Sequence, residues 1–200
     1  MFLFFSDIGK IWEYFDKDKK KLFLGDWFRT FENSESLNNT NHEVFDHFWK
    51  DSQQLEKDYH YILEKNEKLL NYCTIKLNEI HKKKESINYW RIIIGPWLIY
   101  FTQIIYERYK LLTSVKEKYS NLHVSLVSHN FNLNISSDFD DFCENAFSDD
   151  WNQKIFEYLL IKYTKISTEK LNVSIFSKKK LYINEYLGNK RKSRFQFFSI

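Results

Sequence analysis

The chain has 200 residues, 43% of them hydrophobic and 28% charged, with a formal net charge of +3. That balance excludes a disordered chain as the main state, and 19% aromatic residues supply the large side chains a core needs. Four Gly and one Pro are too few to punctuate a turn-rich all-β sandwich, so long helices are expected.

In chain order, residues 2–6 are a short apolar run closed by Asp7 and Gly9, which reads as a buried strand and its turn. Residues 16–21, DKDKKK, read as a solvated connector, and residues 22–24, closed by Gly25, as a second strand. Residues 33–41 are polar and read as a loop. His42 and His47 stand five apart. Five residues turn a helix by about 500°, which separates the imidazoles by ~140° and spoils the shared face that a zinc-protease pair four apart enjoys. That segment reads as an exposed helix or turn with Val44, Phe45 and Phe48 inward. Asp51 or Ser52 caps a long helix, with Gln54 as capping-box partner of Asp51. Its apolar face is Leu55, Tyr59, Ile62, Leu69, Cys73, Leu77 and Ile80, interrupted by Asn66, and residues 82–85 end it.

Residues 88–109 are apolar on every face, and the segment 88–119 is expected at the centre of the fold. Pro96 lacks an N–H and restricts Gly95, which favours two helices meeting there over one kinked helix. The charge-free stretch 92–106 rises only about 22 Å as a helix, short of a ~30 Å hydrocarbon core, so no span is expected. Residues 122–127 read as a strand, and residues 136–138 cap a further helix. Residues 138–141, DFDD, also resemble the DXD of one class of glycosyltransferases, but carboxylates ahead of an apolar run suit a helix N-terminus. Asp149 or Asp150 caps the next helix, with Trp151, Ile155, Tyr158, Leu159 and the stem of Lys162 as its apolar face. Strands are expected at 173–176 and 181–183. Between Lys165 and Arg194 nine Lys or Arg oppose only Glu169 and Glu185, and this basic, aromatic tail reads as a solvated end rather than a nucleic-acid surface. Cys73 and Cys143 read as free thiols, and residues 1–10 lack the features of an export signal, so a cytoplasmic location is expected. No GxxxxGK[ST], GxGxxG or nucleophile elbow occurs.

Several blocks together resemble the transferases of bacterial O-antigen and other surface-carbohydrate gene clusters. They are Leu22-Phe23-Leu24-Gly25-Asp26-Trp27, residues 42–51 with Trp49 and Asp51, and Leu77-Asn78-Glu79-Ile80-His81. Tyr89-Trp90-Arg91-Ile92-Ile93-Ile94-Gly95-Pro96-Trp97-Leu98, Glu107-Arg108-Tyr109, and Asp149-Asp150-Trp151-Asn152 with Phe156 follow in the same order. Phe28 stands where that family favours Cys. The resemblance implies a helix-rich α/β fold, a few-stranded parallel sheet with long helices, like the N-terminal domain of a two-domain, GT-B-like glycosyltransferase. Members of the family are considerably longer than this chain. The resemblance therefore implies a transferase-like domain over residues 1–165 and a segment 166–200 that begins the following region. It also implies an acceptor-side role in surface-polysaccharide synthesis, inactive without the donor-binding half. Nucleotide sugar and glycan acceptor are then partners of the full-length protein, beside a partner domain or subunit and peripheral contact with the inner membrane. No nucleic acid, cofactor or metal is implied.

The family assigns no catalytic residues, so roles come from the residues themselves. Asp26 follows a strand, where open α/β sheets build their sites, and can take a proton from a sugar hydroxyl, while Trp27 can stack on a sugar face. His81, at a helix end, is the other candidate catalytic group. Trp90, Arg91, Trp97 and Arg108 form the candidate substrate-binding set, with Arg91 ahead of Pro96 suited to a phosphate or carboxylate. Plainer readings place the three tryptophans in the core, pair Arg91 with Glu79 or Asp26, and make His81 a helix C-terminal cation. Competing functions are a helical interaction module that docks a partner subunit and a small stand-alone DXD-type transferase.

Overall fold

The computed structural model describes residues 1–127 and 136–170. The strands expected at 173–176 and 181–183 lie outside the described residues. Five strands, β1 (Phe2–Phe4), β2 (Lys21–Phe23), β3 (His42–Val44), β4 (His123–Leu126) and β5 (Ser167–Lys170), form one all-parallel sheet in the order β3-β2-β1-β4-β5. The helices are α1 (Ser34–Asn38), α2 (Ser52–His81), α3 (Ile87–Lys118), α4 (Phe139–Ala146) and α5 (Asp149–Tyr163), joined by short 3-10 turns. The protein is thus a helix-rich α/β chain with a parallel sheet and long helices, as the sequence implies.

A parallel sheet is covered on both faces, and the alternation of side chains along β1 and β2 divides the work. Leu3, Phe5, Leu22 and Leu24 point to the face packed by Leu111, Leu112 and Val115 of α3, by Phe142 of α4, and by Ile155, Phe156 and Leu159 of α5. Phe4 and Phe23 point the other way, onto Ile11, Trp12, Phe28 and Leu37. Helices α2 and α3 make an antiparallel hairpin. Lys82 closes α2 in the left-handed conformation at φ 52°, and the Asn78 side chain clamps the turn by bonding Glu85 N (3.0 Å), Glu85 O (2.8 Å) and Trp90 Nε1 (3.0 Å).

Several expectations are corrected. Residues 33–41 are not all loop: Ser34–Asn38 is helical, and Leu37 anchors it in the second core. Residues 42–44 are the edge strand β3 rather than a helix or turn, because they complete the backbone ladder of β2, with Phe45 N bonding Phe23 O at 2.8 Å. Lys21 is buried as the first residue of β2, not part of a solvated connector. Asp51 does cap α2, accepting from Gln53 N and Gln54 N, but the Gln54 side chain turns to Asp58 (2.9 Å), so no capping box closes. The buried stripe of α2 is Asp58, Ile62, Asn66 and Leu70, one step round from the expected face, which leaves Leu55, Tyr59 and Ile80 exposed.

Helix α3 passes through Pro96 without dividing, so a single helix replaces the two expected. It is not buried all round either. Its second half lies on the sheet, whereas Tyr89, Ile92 (80% exposed) and Ile93 project with the hairpin end into solvent. Ser148, not Asp149 or Asp150, caps α5. The buried residues of α5 include Phe156 and Leu160 on a face that leaves Tyr158 and Lys162 outside, because this helix is enclosed between the sheet and α3. Ser167–Lys170 forms β5, a polar edge strand that the sequence pattern did not suggest.

Candidate functional site

The chain runs outward from β1 through β2 to β3, then returns to place β4 on the other side of β1. Open parallel sheets bind ligands just beyond the carboxyl ends of strands at such a reversal. The strands themselves part there: β1 and β4 share one paired position, Phe2 with His123, against three between β1 and β2. Side chains replace the missing ladder. Ser6 Oγ donates to Gln153 Oε1 (2.7 Å), Gln153 Nε2 donates to Glu157 Oε1 (2.7 Å), and that oxygen also accepts from Val127 N (2.6 Å). The remaining gap is a cavity of about 10 Å³, room for no more than a water, so any ligand must lie above this plug.

Above it stand the loops after β1, β2 and β3. Asp7, past the end of β1, is fixed by Trp12 Nε1 (2.7 Å) and Asn33 Nδ2 (2.7 Å), and its N–H donates to Asp149 Oδ1 (3.2 Å) in the first turn of α5. Burial holds the Asp149 carboxyl above the usual carboxylate range; the Asp7 charge adds to this and the Asp7 N–H opposes it. Trp27 follows β2. Its indole N–H donates to Phe5 O at 3.0 Å, which lays the half-exposed ring across the carboxyl end of β1. Gly25 makes that pose possible: a Cβ there would lie 2.0 Å from the ring.

His47 follows β3. Its Nδ1 accepts from Trp49 N (3.1 Å), which leaves Nε2 to carry the proton toward Glu107 Oε1 (2.9 Å). Buried Glu107 also pairs with Arg108, whose Nε and Nη2 grip Asn152 Oδ1 at 3.0 and 2.9 Å. Asp149, Asn152 and Gln153 all belong to the first turns of α5. That helix start is therefore where the loops after β1 and β3 and the middle of α3 are tied together.

The sequence-derived residues fall into two groups. Asp26, Trp27 and Arg108 belong to the carboxyl edge, where Asp26 is exposed and pairs with Arg29 at 3.2 Å. His81, Trp90 and Arg91 lie at the far end of the hairpin: the His81 ring stacks on Trp90, Trp90 is buried, and exposed Arg91 forks onto Glu67 (Nη2 to Oε2 2.9 Å) rather than Glu79 or Asp26. Arg91 and Arg108 are separated by about 26 Å of helix. Trp97 lies between, partly buried and stacked on Phe101, with its edge to Phe142. Asp138 caps α4, accepting from Asp141 N at 2.8 Å, which is the capping role rather than the DXD one. His42 bonds Thr40 O (2.9 Å), apart from His47. Among the described residues no three His, Cys, Asp or Glu group as metal ligands, and no helix is long and apolar enough to cross a membrane. Sequence reasoning missed Asp7, His47 and Asp149 as site residues; the usable signal was the position of Asp7 directly after the first strand of an α/β chain.

A family model described as LIC12162 family transferase matches residues 2–199. No curated protein and no solved structure matches the chain.

Proposed function

Because the chain belongs to the LIC12162 family of transferases, we propose that it forms the acceptor-side unit of a surface-carbohydrate transferase, with its reaction centre above the β1–β4 parting. The observation that carries this reading is the half-exposed Trp27 ring anchored by its N–H on Phe5 O, two residues before Asp7, whose own N–H donates to Asp149. An indole face takes the C–H face of a sugar ring, and a carboxylate of raised affinity for protons suits a general base. In this reading a sugar hydroxyl of the acceptor lies on Trp27 and gives its proton to Asp149. The hydroxyl oxygen then bonds to the transferred group, and the donor's leaving group departs with the electron pair. Asp26, one residue before Trp27, is the alternative base. The nucleotide-sugar donor belongs to a second domain or subunit facing this edge, so the unit alone does not turn over.

The hairpin fits the same role. Its exposed Tyr72, Ile75, Ile80, Tyr89 and Ile92 accompany exposed Lys82, Lys83 and Lys84. Apolar and aromatic groups with lysines suit the interface of an anionic membrane, and this is our reading of the peripheral contact. His81, Trp90 and Arg91 then serve hairpin shape rather than chemistry.

Calorimetric titration with oligosaccharides and with nucleotide sugars tests the assignment. Binding of a glycan that Trp27→Ala weakens at least tenfold, with no nucleotide-sugar turnover, is expected. Turnover of a nucleotide sugar by this chain alone contradicts the acceptor-side role.

A further inference from the structure

At the opposite edge of the sheet, Lys21 begins β2 and points to the same face as Phe23, with 1% of its surface exposed. Neighbouring charges are spoken for: Lys20 pairs with Glu43 at 2.7 Å. Among the described residues the Lys21 ammonium has no hydrogen-bond or ion-pair partner. Burial of the side chain pushes its pKa below the ordinary lysine value, aided by Lys17 and opposed by Asp16.

The Lys21 side chain lines a cavity of about 330 Å³ between the 3-10 turn Ile8–Tyr14 and α1, a volume within the ~300–1,000 Å³ range of small-molecule sites. Its other donors are Lys17 and the Ser36 hydroxyl, which makes no bond among the described residues. Acceptors line it as well. Asn39 spends its amide N–H on Glu35 O (3.2 Å) and Thr40 its hydroxyl proton on Ser36 O (2.7 Å), which leaves Asn39 Oδ1 and Thr40 Oγ1 to accept, with the carboxylates of Glu13 and Glu35 beside them. Trp12 closes one wall. Within this lining the two lysines and the Ser36 hydroxyl match an oxyanion, and the carboxylates with amide and hydroxyl oxygens match the hydroxyl groups of a polyol.

The geometry points to a second binding site here, for a small polyhydroxylated acid of the sugar-phosphate or uronate class, its oxyanion paired with Lys21. The site lies away from the carboxyl edge, so it is independent of the acceptor assignment. Titration calorimetry with glucose 6-phosphate, glucuronate, inorganic phosphate and glucose tests it, and the first two tell phosphate from carboxylate. At least one of the two acids is expected to bind tenfold or more tightly than glucose, and also more tightly than inorganic phosphate. Lys21→Met should lose at least tenfold in affinity while its thermal midpoint stays or rises, since a partly desolvated charge is removed from a buried side chain. Ser36→Ala, on the short helix α1, is a gentler arm with an expected loss of about threefold. Trp27→Ala should change nothing at this site. No binding of either acid, equal binding of glucose or inorganic phosphate, or unaltered affinity in both Lys21→Met and Ser36→Ala overturns the proposal.

Discussion

Asp58 is a buried carboxylate in α2 that accepts from Trp49 Nε1 (2.9 Å), Gln54 Nε2 (2.9 Å) and the Tyr106 hydroxyl (2.5 Å), with Lys110 at 3.6 Å. Burial alone would raise its pKa; those donors and the lysine outweigh it and bring it below the ordinary value. A lowered folded value means stability that is present above the unfolded value of about 3.9 and lost as pH falls through the folded one. Asp58→Asn turns a donor toward donors, and urea unfolding at pH 7 should show a loss of about 2–4 kcal/mol with a flatter acid limb below pH ~4. An unchanged acid limb would remove Asp58 from the account. Gly25→Ala should displace the Trp27 ring, because the new methyl would fall inside it. Glycan affinity is expected to drop about as far as in Trp27→Ala, measured by the same titration. The edge position of Asp26 and Trp27 was legible in the sequence, since a strand closed by Gly is a local pattern. The Asp7–Asp149 pair was not, because 142 residues separate the two and only the fold joins them. Lys21 looked like one more lysine in a charged run, and strand pairing alone buries it.

Among the elements, α2 shows why periodicity found the helix and missed its face. Counting only apolar residues placed Leu55, Tyr59 and Leu69 inward, yet polar Asp58 and Asn66 are buried because α3 supplies partners, Tyr106 for one and Thr102 Oγ1 (3.2 Å to Asn66 Oδ1) for the other. Strands β3 and β5 escaped notice for a different reason. Each is three or four residues long and polar at an edge, so the ladder of a neighbour, not its own pattern, makes it a strand. Pro96 inside α3 forfeits one backbone hydrogen bond and crowds the preceding turn, at a cost of ~3 kcal/mol. Pro96→Ala should therefore raise the unfolding free energy by about 1–3 kcal/mol, read from denaturant midpoints, and a loss would mean that the hairpin's packing depends on the proline ring. At the hairpin end, Ile80→Glu with Ile92→Glu should leave stability within about 0.5 kcal/mol, since both residues are largely exposed. The same pair is expected to cut co-sedimentation with phosphatidylglycerol vesicles several-fold, and undiminished sedimentation would take the membrane away from this surface.

At the scale of the molecule, strand order does most to place the proposed site. A parallel sheet that reverses at β1 opens between β1 and β4, and α5 starts over that opening with Asp149, Asn152 and Gln153 reaching three different parts of the chain. The hairpin's aromatic and basic groups stand well away from this point along α3. Six tryptophans report on both places, since each carries one indole N–H. The most direct measurement is an NMR titration of the indole Nε1–H signals of the ¹⁵N-labelled chain with oligosaccharide acceptors. The account predicts a saturable shift of the Trp27 signal, whose N–H is anchored on Phe5 O, while the Trp90 signal, bonded to Asn78, stays in place. Movement of Trp90 or Trp97 with Trp27 unmoved would contradict it.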